Sequence, residues 1–295
     1  MPELPEVETV RRGLQPALEG ATIERLELRR GGLRVPFSRN FAARVKGRRI
    51  TALRRRAKYL LAELDDGTTL LMHLGMSGSF RIETKGEKDA KPVADDAVYY
   101  KRGKLEAHDH VVFHFKGGTR VVYNDPRRFG CMLLIQSKDF DAHPMLAGLG
   151  LEPTGNELSA DVLAPRFAKR TAPLKAILSD QRVIAGLGNI YVCEVLWRAR
   201  LSPKRAAGTL VRANGAPTQR LVSLVEAVHT VIADAVEAGG SSLRDYVQAN
   251  GELGLFQHQF CVYDREGKRC PRGDGTIRRI VQSGRSTFYC PACQR

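Results

Sequence analysis

Apolar residues recur at Val7, Val10, Leu14 and Leu18, the spacing of one helix face, and predict a helix over roughly residues 4–18. The pattern then shortens. Apolar or alternating runs follow at Ile23–Leu28, Arg49–Leu53, Tyr59–Leu64, Thr69–His73, Ser79–Ile82, Val111–Phe115, Arg120–Tyr123 and Cys131–Ile135, with Asp65-Asp66-Gly67 and Lys116-Gly117-Gly118 as turns. Such spacing predicts an antiparallel sandwich or barrel rather than alternating strands and helices. Residues 85–107 are polar and turn-rich and read as a surface excursion. Past residue 137 the period becomes helical, with expected helices at Ala160–Ala168, Pro173–Leu178, Leu187–Ala199 and Thr218–Ala238. Gly239-Gly240 ends the last of these, and a β-hairpin with cysteines at its ends closes the chain. The expected fold class is therefore α+β and multidomain: a helix plus antiparallel β-sandwich over 1–137, a helical domain over 138–256, and a hairpin module over 257–295.

Composition narrows the partners. The 295 residues hold 47 Lys plus Arg against 32 Asp plus Glu, a net charge of +15. That surplus implies a polyanion, most often nucleic acid, although ribosomal or membrane-surface binding would produce the same number. No apolar run is long enough to span a bilayer, and charged residues fill the first thirty positions where a signal peptide would lie. A cytoplasmic location is expected.

The first eight residues, Met-Pro-Glu-Leu-Pro-Glu-Val-Glu, carry the sharpest chemical signal. Removal of Met1 ahead of a small residue would leave Pro2 as a secondary-amine terminus. A free α-amino group has a pKa of about 7.7–8.0, so a good fraction is nucleophilic at neutral pH. Glu3 and Glu6 stand beside it as candidate proton donors and acceptors. Pro, Glu and Glu also suit a helix N-terminus, where carboxylates complement the dipole.

Further candidates lie at turns. Between Arg44 and Lys58 there are eight basic residues and no acidic one, ending at a strand start in Arg54-Arg55-Arg56-Ala57-Lys58. His73-Leu-Gly-Met-Ser-Gly78 places Met76 between glycines, where it could wedge between base pairs or simply fill a tight turn. Asn124-Asp-Pro-Arg-Arg-Phe-Gly130 pairs arginines with a stacking ring. Gly186-Leu-Gly-Asn189 opens a helix and forms a candidate anion site, with Asn189 either capping that helix or touching phosphate. Gly239–Phe256 reads as a mobile loop.

Four of six cysteines fall in the last 35 residues, which points to a metal rather than to disulfides. Cys131 and Cys193 read as small core residues. A zinc ribbon has two Cys-x2-Cys pairs; Cys290-Pro-Ala-Cys293 is intact, but Cys270-Pro-Arg is followed by Gly273. The expected ligands of one structural zinc are Cys270, Cys290 and Cys293. Cys261 is the candidate fourth, placed opposite Cys270 by a hairpin turning at Arg265-Glu266, with Asp274 or water as alternatives. No organic cofactor is expected.

These blocks, in this order, resemble the formamidopyrimidine-DNA glycosylase family over nearly the whole chain: PELPEVETVRRGL, RRAKYL, HLGMSG, DPRRFG, GLGNIY and SGRSTFYC. The resemblance implies a base-excision-repair glycosylase and AP lyase for oxidised purines such as 8-oxoguanine and formamidopyrimidines, acting as a monomer on damaged double-stranded DNA. It implies Pro2 as nucleophile, Glu3 as acid, Glu6 as organiser and Lys58 on phosphate beside the lesion. The remaining basic-run arginines are left as general attraction. Met76, Arg127 and Phe129 would fill the gap left by the flipped nucleotide, with His73 on the same loop. Asn189, in a helix–two-turn–helix element, and Arg285 would hold phosphates. His108, in His-Asp-His-Val, would touch phosphate or be a satisfied structural histidine. Arg244 falls in the loop that closes over 8-oxoguanine, where some members carry lysine. Two other readings stay open: an oxidised-pyrimidine enzyme of the endonuclease VIII branch, against which Leu4 argues, and a non-catalytic DNA-binding relative.

Overall fold

The computed structural model describes residues 2–84, 106–241, 254–273 and 275–295. Most of the expected surface excursion and Arg244 lie outside the described residues. The chain forms two compact units, Met1–Ala147 with Gly239–Leu255, and Gly148–Ala238 with Phe256–Arg295.

In the first unit, α1 (Leu4–Leu18) buries Leu4, Val7, Val10, Leu14 and Leu18 along one face, as the period requires. It leads into β1 (Ile23–Leu28), a short α2 (Phe41–Val45) and the strands β2 (Ile50–Arg56), β3 (Tyr59–Leu64), β4 (Thr68–His73), β5 (Ser79–Glu83), β6 (Asp109–Phe115), β7 (Arg120–Asn124) and β8 (Cys131–Gln136). They make two antiparallel four-stranded sheets, ordered β1-β6-β7-β5 and β2-β3-β4-β8. One core joins Leu53, Leu60 and Ala62 of one sheet with Val111, Phe113 and Val121 of the other, and α1 contributes Val7, Val10 and Leu14 to it. The sandwich is the expected one. Helix α2 was not visible as a period because it is a single turn anchored by Phe41 and Val45. Strand β2 runs on to Arg56, past the expected end at Leu53, since its ladder with β3 continues from Arg54↔Leu61 to Arg56↔Tyr59.

The second unit holds α3 (Ala160–Phe167), α4 (Leu174–Ser179), α5 (Asn189–Arg198), α6 (Gln219–Glu237) and the hairpin β9 (Arg278–Gln282) with β10 (Arg285–Tyr289). The hairpin is not a separate body. Cys193 and Trp197 of α5 share a buried cluster with Val262, Cys270, Ile277, Phe288 and Cys290. The hairpin module expected over 257–295 thus packs on the helices through a common core, and Gly239–Leu255 groups with the first unit. Among the described residues no helix is long and apolar enough to cross a membrane.

Candidate functional site

The first turn of α1 is fixed from both sides. Pro2 is buried, and Glu3 and Glu6 are 3% and 2% exposed. Glu6 Oε2 accepts the Glu3 backbone N–H at 2.8 Å, half of a reciprocal capping box with the Glu3 carboxylate. Glu6 Oε1 accepts from Ser241 N at 2.8 Å and from Ser241 Oγ at 3.0 Å. Gly240 (φ +77) lies so close that a Cβ there would sit 3.1 Å from Glu6 Cγ. Both Glu6 oxygens thus hold the first turn of the helix in place. The base of the 240–255 segment is closed by an antiparallel bridge from Ser241 to Leu255.

Lys58 is the second residue of the two-residue β2–β3 turn and is 7% exposed. Its position depends on Ala57, which adopts a left-handed φ of 51. Arg55 holds that turn. Its Nη1 donates to Ala57 O at 2.9 Å while its Nε lies 3.2 Å from Glu8 Oε2 on α1. The expectation that all three arginines of this run supply general attraction therefore fails for Arg55. Its side chain is 8% exposed and ties the helix of Pro2 to the turn of Lys58.

His73 ends β4 opposite Tyr59, with ring centroids 5.0 Å apart. Its Nδ1 accepts from Gly75 N at 3.0 Å, an arrangement that assigns the ring proton to Nε2. Burial, reinforced by the Lys58 and Arg34 cations, brings its pKa down to about 4. A neutral donor therefore faces a basic neighbourhood suited to an anion.

Two loops, 74–78 and 125–130, are joined by one residue that the sequence reading missed. Asp125 is fully buried. Its Oδ1 accepts from Ser77 Oγ at 2.6 Å, and its Oδ2 accepts from Gly130 N at 2.8 Å and Tyr123 OH at 3.3 Å. Ser77 Oγ in turn accepts the Arg127 backbone N–H at 3.1 Å. The contact is close, because a Cβ on Gly75 (φ +65) would approach Phe129 C to 2.3 Å. On this clamp Met76 is half-buried, and Phe129 is 44% exposed under the Arg127 guanidinium at 4.9 Å. The structure thus brings the expected trio onto one pair of loops. His108 is half-buried on the turn before β6, and its carbonyl accepts from Asp125 N.

In the second unit Asn189 is the first residue of α5. Its Oδ1 accepts from Lys175 Nζ at 2.8 Å, and its Nδ2 donates to Ser286 O at 2.9 Å. Ser286 follows Arg285, which is exposed, so these two expected phosphate residues are neighbours. Lys175, 4% exposed, is a second residue missed from sequence; a lysine in the apolar run Pro-Leu-Lys-Ala-Ile-Leu was the available signal.

Cys270, Cys290 and Cys293 converge, their sulfurs all within 4.8 Å of one another. Cys270 Sγ and Cys293 Sγ are 3.9 Å apart, close to the edge of about 3.8 Å for a tetrahedron with Zn–S bonds of roughly 2.3 Å. Trp197 Nε1 donates to Cys270 Sγ at 3.3 Å, an outer-sphere bond of the kind that orients a thiolate ligand. The residues fit zinc. Cys261 does not join them. Its backbone N–H and those of Val262 and Tyr263 are taken by the buried Glu194 carboxylate at 2.8–3.0 Å, and its Sγ turns to Gln259 O. Cys270 instead starts a tight reversal with Cys270 N donating to Gly275 O, so no hairpin sets residue 261 opposite residue 270. Asp274 lies outside the described residues.

Three family models match the chain: the formamidopyrimidine-DNA glycosylase N-terminal domain over residues 1–132, the formamidopyrimidine-DNA glycosylase H2TH domain over 149–247, and a zinc finger found in FPG and IleRS over 267–295. A formamidopyrimidine-DNA glycosylase of Rhizobium meliloti is 62% identical over 302 residues, covering 100% of both chains. Among solved structures, Lactococcus lactis Fpg in complex with abasic-site DNA superposes with a TM-score of 0.83 at 31% identity over 99% of each chain. A point mutant of the same enzyme in complex with Fapy-dG-containing DNA gives 0.83 at 32% identity over 100% of each.

Removing the Asp125 carboxylate takes away the acceptor shared by both loops. Asp125→Ala lowers stability by about 2–3 kcal/mol in urea melts, because Ser77, Tyr123 and Gly130 lose a buried partner; a loss below about 0.5 kcal/mol would show that the loops hold without it. For His73, the folded pKa lies below the unfolded value of about 6.5, so the unfolded chain binds more protons between pH 6.5 and 4. Its contribution is present above pH 6.5 and is lost as pH falls. The stability difference between the native chain and His73→Asn shrinks by on the order of 2 kcal/mol from pH 7 to pH 4, whereas parallel curves would contradict the shift.

Proposed function

The chain belongs to the formamidopyrimidine-DNA glycosylase family, and from that premise we propose that its buried N-terminal corner carries out the family's glycosylase and AP lyase chemistry on oxidised purines in DNA. The observation that carries the proposal is the confinement of Pro2, Glu3, Glu6 and Lys58 in buried positions of one unit, with Glu6 pinning the first turn by three hydrogen bonds.

The target C1′ is inaccessible within a stacked duplex, so the damaged nucleotide must be extruded. Met76, Arg127 and Phe129 enter the vacated space, the arginine addressing the orphaned base and the ring wedging the opposite strand. With Met1 removed, the Pro2 amine attacks C1′. The glycosidic C–N bond breaks with its electron pair leaving on the base, which takes up the proton shed by the Pro2 nitrogen, and Glu3 protonates the sugar ring oxygen as the nitrogen lone pair opens the ring to an iminium. The resulting iminium acidifies C2′; loss of that proton expels the 3′ phosphate, and a second elimination expels the 5′ phosphate. A one-nucleotide gap remains. Lys58 in one unit, and Asn189 and Arg285 in the other, each contribute a phosphate contact, and His73 and His108 add neighbouring ones. Arg244 belongs to the segment that would cover the flipped base. Cys270, Cys290 and Cys293 hold one zinc ion, which supplies structural cross-linking to the hairpin and no step of the reaction. The protein acts as a monomer in the cytoplasm.

Gel assays on duplexes with a single lesion test this reading. The protein converts 8-oxoguanine and formamidopyrimidine duplexes to gapped products and processes an oxidised-pyrimidine duplex at least about tenfold more slowly, a difference of about 1.4 kcal/mol. Glu3→Gln abolishes base release but still cleaves a preformed abasic site. A preference for oxidised pyrimidines would overturn the substrate assignment, and binding without cleavage would overturn the catalytic one.

A further inference from the structure

The metal centre of this chain departs from a four-cysteine ribbon at one position. Where the second cysteine of the first pair would stand, the chain has Gly273, with φ +81. A Cβ built there would meet only Arg269 Nη2, at 3.8 Å, so the space is not filled by a neighbouring group. Among the described residues no fourth Cys, His, Asp or Glu joins the cluster, and Cys261 is held away by Glu194.

Two features replace what the missing thiolate would have supplied. Arg272 stacks on Trp197 at 4.0 Å, donates to Trp197 O at 2.6 Å and comes within 3.9 Å of Cys293 Sγ. It ties the short turn after Cys270 to the end of α5 and places a cation beside the thiolates. A cleft of about 650 Å³ also reaches Cys293 and is lined by Arg200, Arg220 and Arg295. Three arginines lining a cleft that includes Cys293 favour an anion over a neutral molecule there.

Building on the zinc reading above, we infer that this chain's three cysteines form a three-thiolate centre whose fourth position, which no described residue fills, accepts a small anionic thiolate from solution. Zinc-type sites with three protein ligands keep the fourth place exchangeable, whereas a fourth cysteine closes it. The arginine-lined cleft provides the route.

Cobalt(II) loading of the full chain tests both layers separately. One equivalent of cobalt binds, gives tetrahedral d–d bands and changes the emission of Trp197, the single tryptophan. Added 2-mercaptoethanesulfonate then shifts the d–d bands and raises the sulfur-to-metal charge-transfer absorption by about a third, as three thiolates become four. Gly273→Cys shows the higher absorption from the start and does not respond, and Asp274→Ala responds as the native chain does. Failure to take up cobalt overturns the zinc reading and this inference with it. Uptake with a spectrum indifferent to the thiolate, or a response seen only in Asp274→Ala, leaves the zinc reading intact and overturns the open position.

Discussion

The proposed role of Pro2 sets a constraint: chain ends fray, yet a nucleophile at residue 2 must stay inside the protein in a fixed place. The Glu6 carboxylate meets it. One oxygen takes the Glu3 backbone N–H and the other takes both donors of Ser241, so the first turn of α1 is held from within its own helix and from a segment more than two hundred residues away. The close approach of Gly240 shows how little space separates the two stretches of chain. Charge-assisted bonds in a buried site are worth more than surface ones, and losing Glu6 would leave several donors unpaired. The residues that start the helix are the ones that fix the position of Pro2, so the structural reading of Glu3 and Glu6 does not compete with the proposed catalytic one.

From this corner the rest of the unit follows through a few buried polar links. Glu8 on α1 pairs with Arg55, which supports the left-handed turn at Ala57 and so places Lys58. Lys58 contributes to the low pKa of His73, so a neutral imidazole lies among cations where a phosphate would be welcome. Asp125 binds the Met76 and Phe129 loops into one rigid tip. If Met76 and Phe129 enter a duplex as proposed, shared hydrogen bonds between their two loops resist displacement better than either loop alone.

Much of this was legible from sequence because it is local. The α1 period, the positions of the strands and the Cys290–Cys293 pair are short-range patterns that fold where they read, although several strands, β2 above all, run past their expected ends. The roles of Arg55, Asp125 and Lys175 were not legible, because each is set by partners brought together only by tertiary folding: Glu8 for the first, Ser77 for the second, Asn189 for the third. Cys261 shows the opposite error. Proximity in sequence suggested a hairpin with Cys270, but Glu194 on α5 claims three consecutive backbone N–H groups at 261–263 and carries the sulfur elsewhere. A distant carboxylate outweighed a local turn.

Everything in the proposed chemistry turns on whether the Pro2 nitrogen is the nucleophile that bonds to the sugar. The most direct measurement is borohydride reduction during reaction with 8-oxoguanine duplex, followed by mass spectrometry of the trapped peptide. A single adduct is expected on the Pro2 nitrogen of chains lacking Met1, absent in Pro2→Gly. An adduct on a lysine, or one that persists at full yield in Pro2→Gly, would contradict it.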